Sequence, residues 1–225
     1  MKKLLLFAFL LSCTLPAAAQ TEATEPGQQH VLGLQLGSAF VSGNFGKADF
    51  SDAYPAFARD GLLLTGSYRY NLGRYLGVGA SGSLRHNRYD LDAFADPDDE
   101  LVTGKSSEAW RSVFTMADVY ARFPVEELLE VYLRGSMGAS FNRTASWQVQ
   151  TVYGDIVMPT DKATALALGW GSGIGYNVRP FLVTMEAGML YTRPAFTVPN
   201  SQGRPIRHRQ ALNTFHVSLG VQFTL

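Results

Sequence analysis

Apolar side chains in this chain return at every second position, segment after segment, which is the period of a β-strand and not of a helix face. In the first segment Leu32, Leu34, Leu36 and Phe40 alternate with Gly33, Gln35, Gly37 and Ala39. The second places Leu62, Leu64, Tyr68 and Tyr70 on one face, the third Leu76, Val78, Ala80 and Leu84. Ala117, Val119, Ala121 and Phe123 mark the fourth; Val131, Leu133, Met137 and Phe141 mark the fifth. The sixth sets Leu166, Leu168, Trp170, Ile174 and Tyr176 against Gly169, Gly171, Gly173 and Gly175. Val183, Met185, Ala187, Met189 and Tyr191 form the seventh, and Phe215, Val217, Leu219, Val221, Phe223 and Leu225 the eighth. The pattern predicts an all-β protein of eight strands, each with one apolar and one small or polar face.

The connectors alternate too. Short turns around Asn71–Arg74, Pro124–Leu128 and Asn177–Pro180 join segments two to three, four to five and six to seven. The other four connectors, roughly 43–60, 87–110, 143–163 and 194–211, are long and polar. Tight turns at one end and long loops at the other predict an eight-stranded antiparallel transmembrane β-barrel with short periplasmic turns and four long extracellular loops. A soluble sandwich or lipocalin-like barrel would turn its second face to water with abundant Lys, Glu and Thr. Here that face carries Gly, Ser and isolated charges, a set that fills a narrow lumen. Phe40, Tyr68, Tyr70, Phe123, Phe141, Tyr176, Phe181, Tyr191, Phe215 and Phe223 fall near segment ends, as two interfacial girdles require.

The first residues fit export. Met1-Lys2-Lys3, the apolar run Leu4–Leu11 and Ala17-Ala18-Ala19-Gln20 make the three parts of a secretory signal peptide over residues 1–19, leaving the barrel domain in 20–225. A lipid anchor on Cys13 is the alternative, although Leu10-Leu11-Ser12-Cys13 is a poor lipobox. Cleavage after Ala19 removes the single cysteine, and with it any disulfide or thiolate metal site. It also removes two lysines, leaving 17 basic against 19 acidic residues, a net of −2. Such a balance gives no electrostatic case for nucleic acid.

The signal peptide, the eight amphipathic segments, the four long loops and the terminal run Phe215-His216-Val217-Ser218-Leu219-Gly220-Val221-Gln222-Phe223-Thr224-Leu225 resemble the small outer-membrane barrels of the OmpA/OmpX type. The terminal run is similar to the C-terminal signal read by the barrel-insertion machinery, with Leu225 where Phe is more usual. The resemblance implies residence in the outer membrane among its lipids and lipopolysaccharide, a monomer, and no cofactor. No peptidoglycan-binding domain is expected behind the eighth strand.

An eight-stranded barrel is filled by its own side chains, so inward charges must neutralise one another. One register of the fourth and fifth segments places Asp118 opposite Arg134, Tyr120 opposite Tyr132 and Arg122 opposite Glu130. Arg69, Arg85, Glu186 and His216 face the same lumen, and the glycines of segment six leave room for long side chains. A charged ion path is the alternative reading of this network.

An enzyme acting on lipid A is the rival of a different class, with His216 and Ser218 on one strand face as base and nucleophile. That face is the lumen, which an acyl chain in the bilayer does not reach, so no catalytic residue is expected. His30, His86 and His208 have no metal-ligand spacing. Asp90, Asp92, Asp96, Asp98, Asp99 and Glu100 make an acidic loop, expected to be solvated, with a divalent cation as the alternative, although the spacing is not that of an EF-hand. Arg193, Arg204, Arg207 and Arg209 cluster at the outer rim, suited to lipid A phosphates. Trp147, Val149, Thr151 and Tyr153 alternate in the third loop, which predicts a ribbon standing above the membrane with an edge open to a partner strand. The function expected is therefore structural or surface-interacting, exercised through the loops on an extracellular protein or other surface ligand.

Overall fold

The computed structural model describes residues 30–48, 54–95, 100–125, 128–178, 180–199, 202 and 204–225. The expected leader and Asp96, Asp98 and Asp99 lie outside these residues. The barrel strands are β1 (His30–Val41), β2 (Ala58–Asn71), β3 (Leu76–Tyr89), β5 (Trp110–Pro124), β6 (Leu129–Arg143), β9 (Lys162–Val178), β10 (Phe181–Thr192) and β13 (Thr214–Thr224). All pairings are antiparallel, in the closed order β1-β13-β10-β9-β6-β5-β3-β2. Closure satisfies every interior ladder, the condition for strands to cross a bilayer. The seam joins the first strand to the last from Val31↔Thr224 to Val41↔Thr214, and the Leu225 N–H donates to the His30 carbonyl at 2.8 Å.

The faces follow the sequence period. Leu32, Leu34, Leu36, Leu62, Val119, Leu133, Met137, Leu166, Trp170 and Leu219 are exposed, while Gln35, Thr65, Arg69, Asp118, Glu186 and His216 are buried. On β6 the outward apolar run from Val131 to Phe141 covers ten residue steps. That is about 33 Å of strand, or about 25 Å of height at a tilt near 40°, the height of an outer-membrane apolar belt. Phe40 stacks on Phe215 at the loop end and Phe181 meets Phe223 at the turn end, with ring centroids 6.2 and 5.7 Å apart. The two girdles thus sit at opposite rims of the belt.

The β5–β6 register corrects the expected one by two residues. Asp118 faces Ser136, Tyr120 faces Arg134, Arg122 faces Tyr132 and Pro124 faces Glu130. A shift of two keeps every side chain on its own face, so the alternation holds while the partners change. The turn is closed by the Val125 N–H donating to the Leu129 carbonyl at 2.9 Å. Arginine is long enough to reach one pair diagonally, and Arg122 still meets Glu130.

The long loops hold further sheet. β4 (Val102–Ser107), β7 (Trp147–Thr151) and β8 (Gly154–Met158) form a three-stranded sheet in the order β4-β7-β8. The ribbon of the third loop is thus flanked by a strand from the second, which covers one of its two edges. β11 (Ala195–Pro199) and β12 (Pro205–Arg209) make a separate hairpin in the fourth loop. A one-turn helix, α1 (Leu91–Phe94), precedes β4; Asp90 caps it by accepting from the Ala93 N–H at 3.2 Å.

The corrected register is open to cross-linking. Directly opposed Cα atoms lie about 4.5–5.5 Å apart, within disulfide reach. Val119→Cys with Gly135→Cys is expected to oxidise to a disulfide, and Val119→Cys with Leu133→Cys is not. A reversed outcome on non-reducing gels would restore the register that places Asp118 against Arg134.

Candidate functional site

The lumen is stacked in layers. Nearest the turns, Glu130 binds Arg69 at 3.3 Å and also Arg122, while Arg69 lies over the Tyr120 ring, 5.3 Å from its centroid. One carboxylate thereby bridges two guanidinium groups. Above it Glu186, 1% exposed, binds Arg134 at 2.6 Å, accepts from Tyr132 Oη at 3.0 Å and lies 3.4 Å from His216 Nε2. Gly173 sits where any Cβ would run into the Tyr132 ring, and a Cβ at Gly171 would lie 3.1 Å from Glu186 Oε1. The glycines of β9 are therefore the space these two side chains occupy. Asp118 accepts from Ser136 across the strand pair. Arg134, expected beside Asp118, gives its charge to Glu186 instead.

Above the ionic layers apolar side chains enter the lumen among paired hydroxyls, Thr65 with Ser83 and Ser140 with Thr192. Ala39, Leu63, Phe114, Met116, Ala167 and Leu190 pack across it as one buried cluster. Arg85 lies beyond that cluster, and no carboxylate pairs with it among the described residues. Its guanidinium donates to the Leu212 carbonyl at 2.8 Å, Thr214 Oγ1 at 3.1 Å and Ser112 Oγ at 3.0 Å. Phe45 and Phe114 offer it their ring faces at 5.2 and 5.1 Å. Neutral acceptors and two π faces thus stand in for a counter-ion.

A second apolar cluster closes the loop end over Arg85: Phe45, Ala56, Ala58, Trp110, Ala145, Phe196 and Leu212. Trp110 meets Phe45 and Phe196 edge-on and donates its Nε1–H to the Ala56 carbonyl at 3.0 Å. Between this stopper and the loop sheets lies a cavity of about 210 Å³, whose walls include Tyr54, Phe57, Phe94, Trp110, Trp147 and Phe196. Phe57 holds a φ of +45°, rare for a residue with a side chain. Its N–H donates to the Lys47 carbonyl at 3.1 Å, its carbonyl accepts from the Asp90 N–H at 2.6 Å, and its ring meets Tyr89 and Phe94. Strain held in place by neighbours is a mark of a functional position.

The ten lumen candidates, Arg69, Arg85, Asp118, Tyr120, Arg122, Glu130, Tyr132, Arg134, Glu186 and His216, all lie on the inner face. Arg193, Arg204, Arg207 and Arg209 are exposed at the outer rim. Arg207 and Arg209 alternate along β12 with Ile206 and His208, and His208 turns to the cavity, 5.0 Å from Tyr54. Of the acidic loop, Asp90 binds Arg59 at 2.8 Å and Asp92 binds Lys105 at 2.5 Å. The hydrogen bond and charge of Lys105 hold the Asp92 carboxyl below its usual range. Strand period alone does not reveal the stopper and cavity residues, although Trp110, Phe114 and Met116 on the inner side of β5 already break the small-or-polar rule.

A sequence profile described as the outer membrane protein beta-barrel domain matches residues 5–223. No curated protein matches the chain significantly. Among solved structures the fold is similar to OprG from Pseudomonas aeruginosa, with a TM-score of 0.53 and 8% identity over 88% of this chain and 96% of that one. AlkL in DMPC bilayers is similar at 0.52 and 11%, over 91% and 93%. A major outer membrane protein from Thermus thermophilus is similar at 0.51 and 13%, over 87% and 99%. At such identities the likeness is one of fold.

The Arg134–Glu186 pair can be measured in urea unfolding from lipid. Glu186→Ala strands a buried guanidinium and is expected to cost on the order of 3–5 kcal/mol. Glu186→Ala with Arg134→Ala is expected to cost less than the two single changes together, and by a wider margin than Asp118→Ala with Arg134→Ala. Additive losses for the first pair would mean that the two charges do not meet.

Proposed function

The chain belongs to the outer membrane protein β-barrel family, and from that premise we propose a non-enzymatic surface-interaction protein that recognises its ligand with the outer mouth. The family sets the apolar belt in outer-membrane lipid. In this reading residues 1–19 are removed on export, the terminal strand is read by the barrel-insertion machinery, and the monomer presents its loop sheets to the exterior. One observation carries it: an aromatic-walled cavity lies above a lumen that its own side chains fill. An apolar cavity of about 150 Å³ admits benzene, so about 210 Å³ suits a substituted ring or a short apolar side chain. Arg193, Arg204, Arg207 and Arg209 serve in this reading as rim contacts for lipopolysaccharide phosphates, the planar fork suiting two oxygens at once.

The same features weigh against catalysis and conduction. His216 faces Glu186 across a buried interior, away from lipid. Around Phe114 the inward polar groups are reduced to hydroxyls such as Thr65, Ser83, Ser140 and Thr192, which bond to one another, so an ion crossing there would lose hydration for few partners.

Two measurements test the reading. Trp110 and Trp147 line the cavity, so quenching of tryptophan emission by 4-nitrophenol is expected to saturate. Ala145→Leu, which fills the space, is expected to weaken that saturable part at least tenfold; linear quenching, equal in both proteins, would remove the cavity from recognition. In planar bilayers the purified protein is expected to show no steady conductance, and uniform single-channel steps would favour a pore.

A further inference from the structure

The outward face carries one row that departs from the apolar belt. Along β3, β5, β6 and β9 the register places His86 opposite Arg111, Arg111 opposite Arg143, and Arg143 opposite Lys162. One step nearer the membrane centre the same strands align Leu84, Val113, Phe141 and Thr164. The cations therefore begin where the belt ends, at the outer-leaflet headgroups. Like charges directly opposed on neighbouring strands repel, and here two such pairs run in succession.

The local acids offset this row only in part. Glu108 binds Arg143 at 2.6 Å. Asp161 lies beside Lys162, but its Oδ1 accepts from the Lys162 N–H at 2.8 Å and its Oδ2 from the Thr197 N–H at 2.6 Å. Among the described residues no carboxylate forms an ion pair with the Arg111 guanidinium or the Lys162 ammonium, and both side chains are exposed. Arg88 adds an exposed cation two residues beyond His86 on the same face.

We propose that Arg111, Arg143 and Lys162 form a binding site on the barrel wall for the phosphorylated glycolipid of the outer leaflet, its phosphates completing the charge of the row. This site goes beyond the mouth reading and rests only on the barrel's place in the outer membrane. From Arg111 to Lys162 is two strand spacings, about 10 Å, the length of a disaccharide headgroup with a phosphate at each end. Acyl chains hanging from that headgroup meet Leu84, Val113 and Phe141. The arginines supply forked donors and Lys162 a point charge.

Lipid A is the probe, in its bisphosphorylated form and after enzymatic removal of both phosphates, titrated against the full barrel in detergent micelles. The native protein is expected to bind the phosphorylated form at least tenfold more tightly. Arg111→Gln with Lys162→Gln is expected to cut that preference below threefold, and Arg111→Lys with Lys162→Arg to keep most of it. In phosphate-free micelles the Gln pair is expected to unfold in urea no earlier than the native protein, since it relieves repulsion. An unchanged preference in the Gln pair overturns the site. So does a loss of preference accompanied by a fall in that phosphate-free stability. Arg207→Gln with Arg209→Gln serves as the second arm; if that pair alone abolishes the preference, the phosphate contact belongs to the fourth-loop hairpin and not to the wall.

Discussion

A cylinder of eight strands is too narrow to keep its charged lining in bulk water, and that constraint organises the molecule. Each inward cation must find an anion, a carbonyl or an aromatic face within the barrel. Glu130 and Glu186 meet the requirement for Arg69, Arg122 and Arg134. Arg85 meets it with a carbonyl, two hydroxyls and two rings. These solutions also select which positions stay small. Gly171 and Gly173 are as much a part of the Glu186 centre as the groups that bind its carboxylate.

The two ends of the lumen are filled by different chemistry. Toward the turns, charge pairs with charge. Toward the loops, the cluster around Phe114 and Met116 separates those pairs from Arg85, and the Trp110 stopper closes over it. The stopper joins residues from all four long connectors or the strand ends beside them, including Phe45, Ala56, Trp110, Ala145 and Phe196. The outer loops are thereby anchored to the barrel by apolar packing as well as by their strand connections, and the cavity above them inherits a fixed floor.

Much of this was legible in the strand period, because a residue's parity decides whether it meets lipid or lumen. Leu64, Val119, Trp170 and Leu219 could be placed outside, and Arg69, Asp118 and Glu186 inside, from alternation alone. The register of β5 against β6 was not legible, since a slip of two residues leaves both faces intact and only exchanges neighbours. Tyr120 opposite Tyr132 and Tyr120 opposite Arg134 satisfy the same pattern. The extracellular sheet was half legible: β7 alternates visibly, but its pairing with β4 joins residues of two different loops, which no local spacing encodes. The cavity was least legible, for Phe57, Trp147 and Phe196 come together only after those loops have folded.

The seam between the first and last strands has a kinetic meaning. Val31 pairs with Thr224 and Phe40 with Phe215, contacts that span nearly the whole chain. Contacts so distant in sequence carry the entropy of closing the largest loops and slow the search for the native state. Every other barrel ladder joins strands that follow one another among the eight wall strands, but this one joins the first to the last and closes the sheet. Until then the sheet has two open edges. An unclosed barrel is therefore open to strand addition at both edges, and the speed with which β13 finds β1 sets how long that exposure lasts.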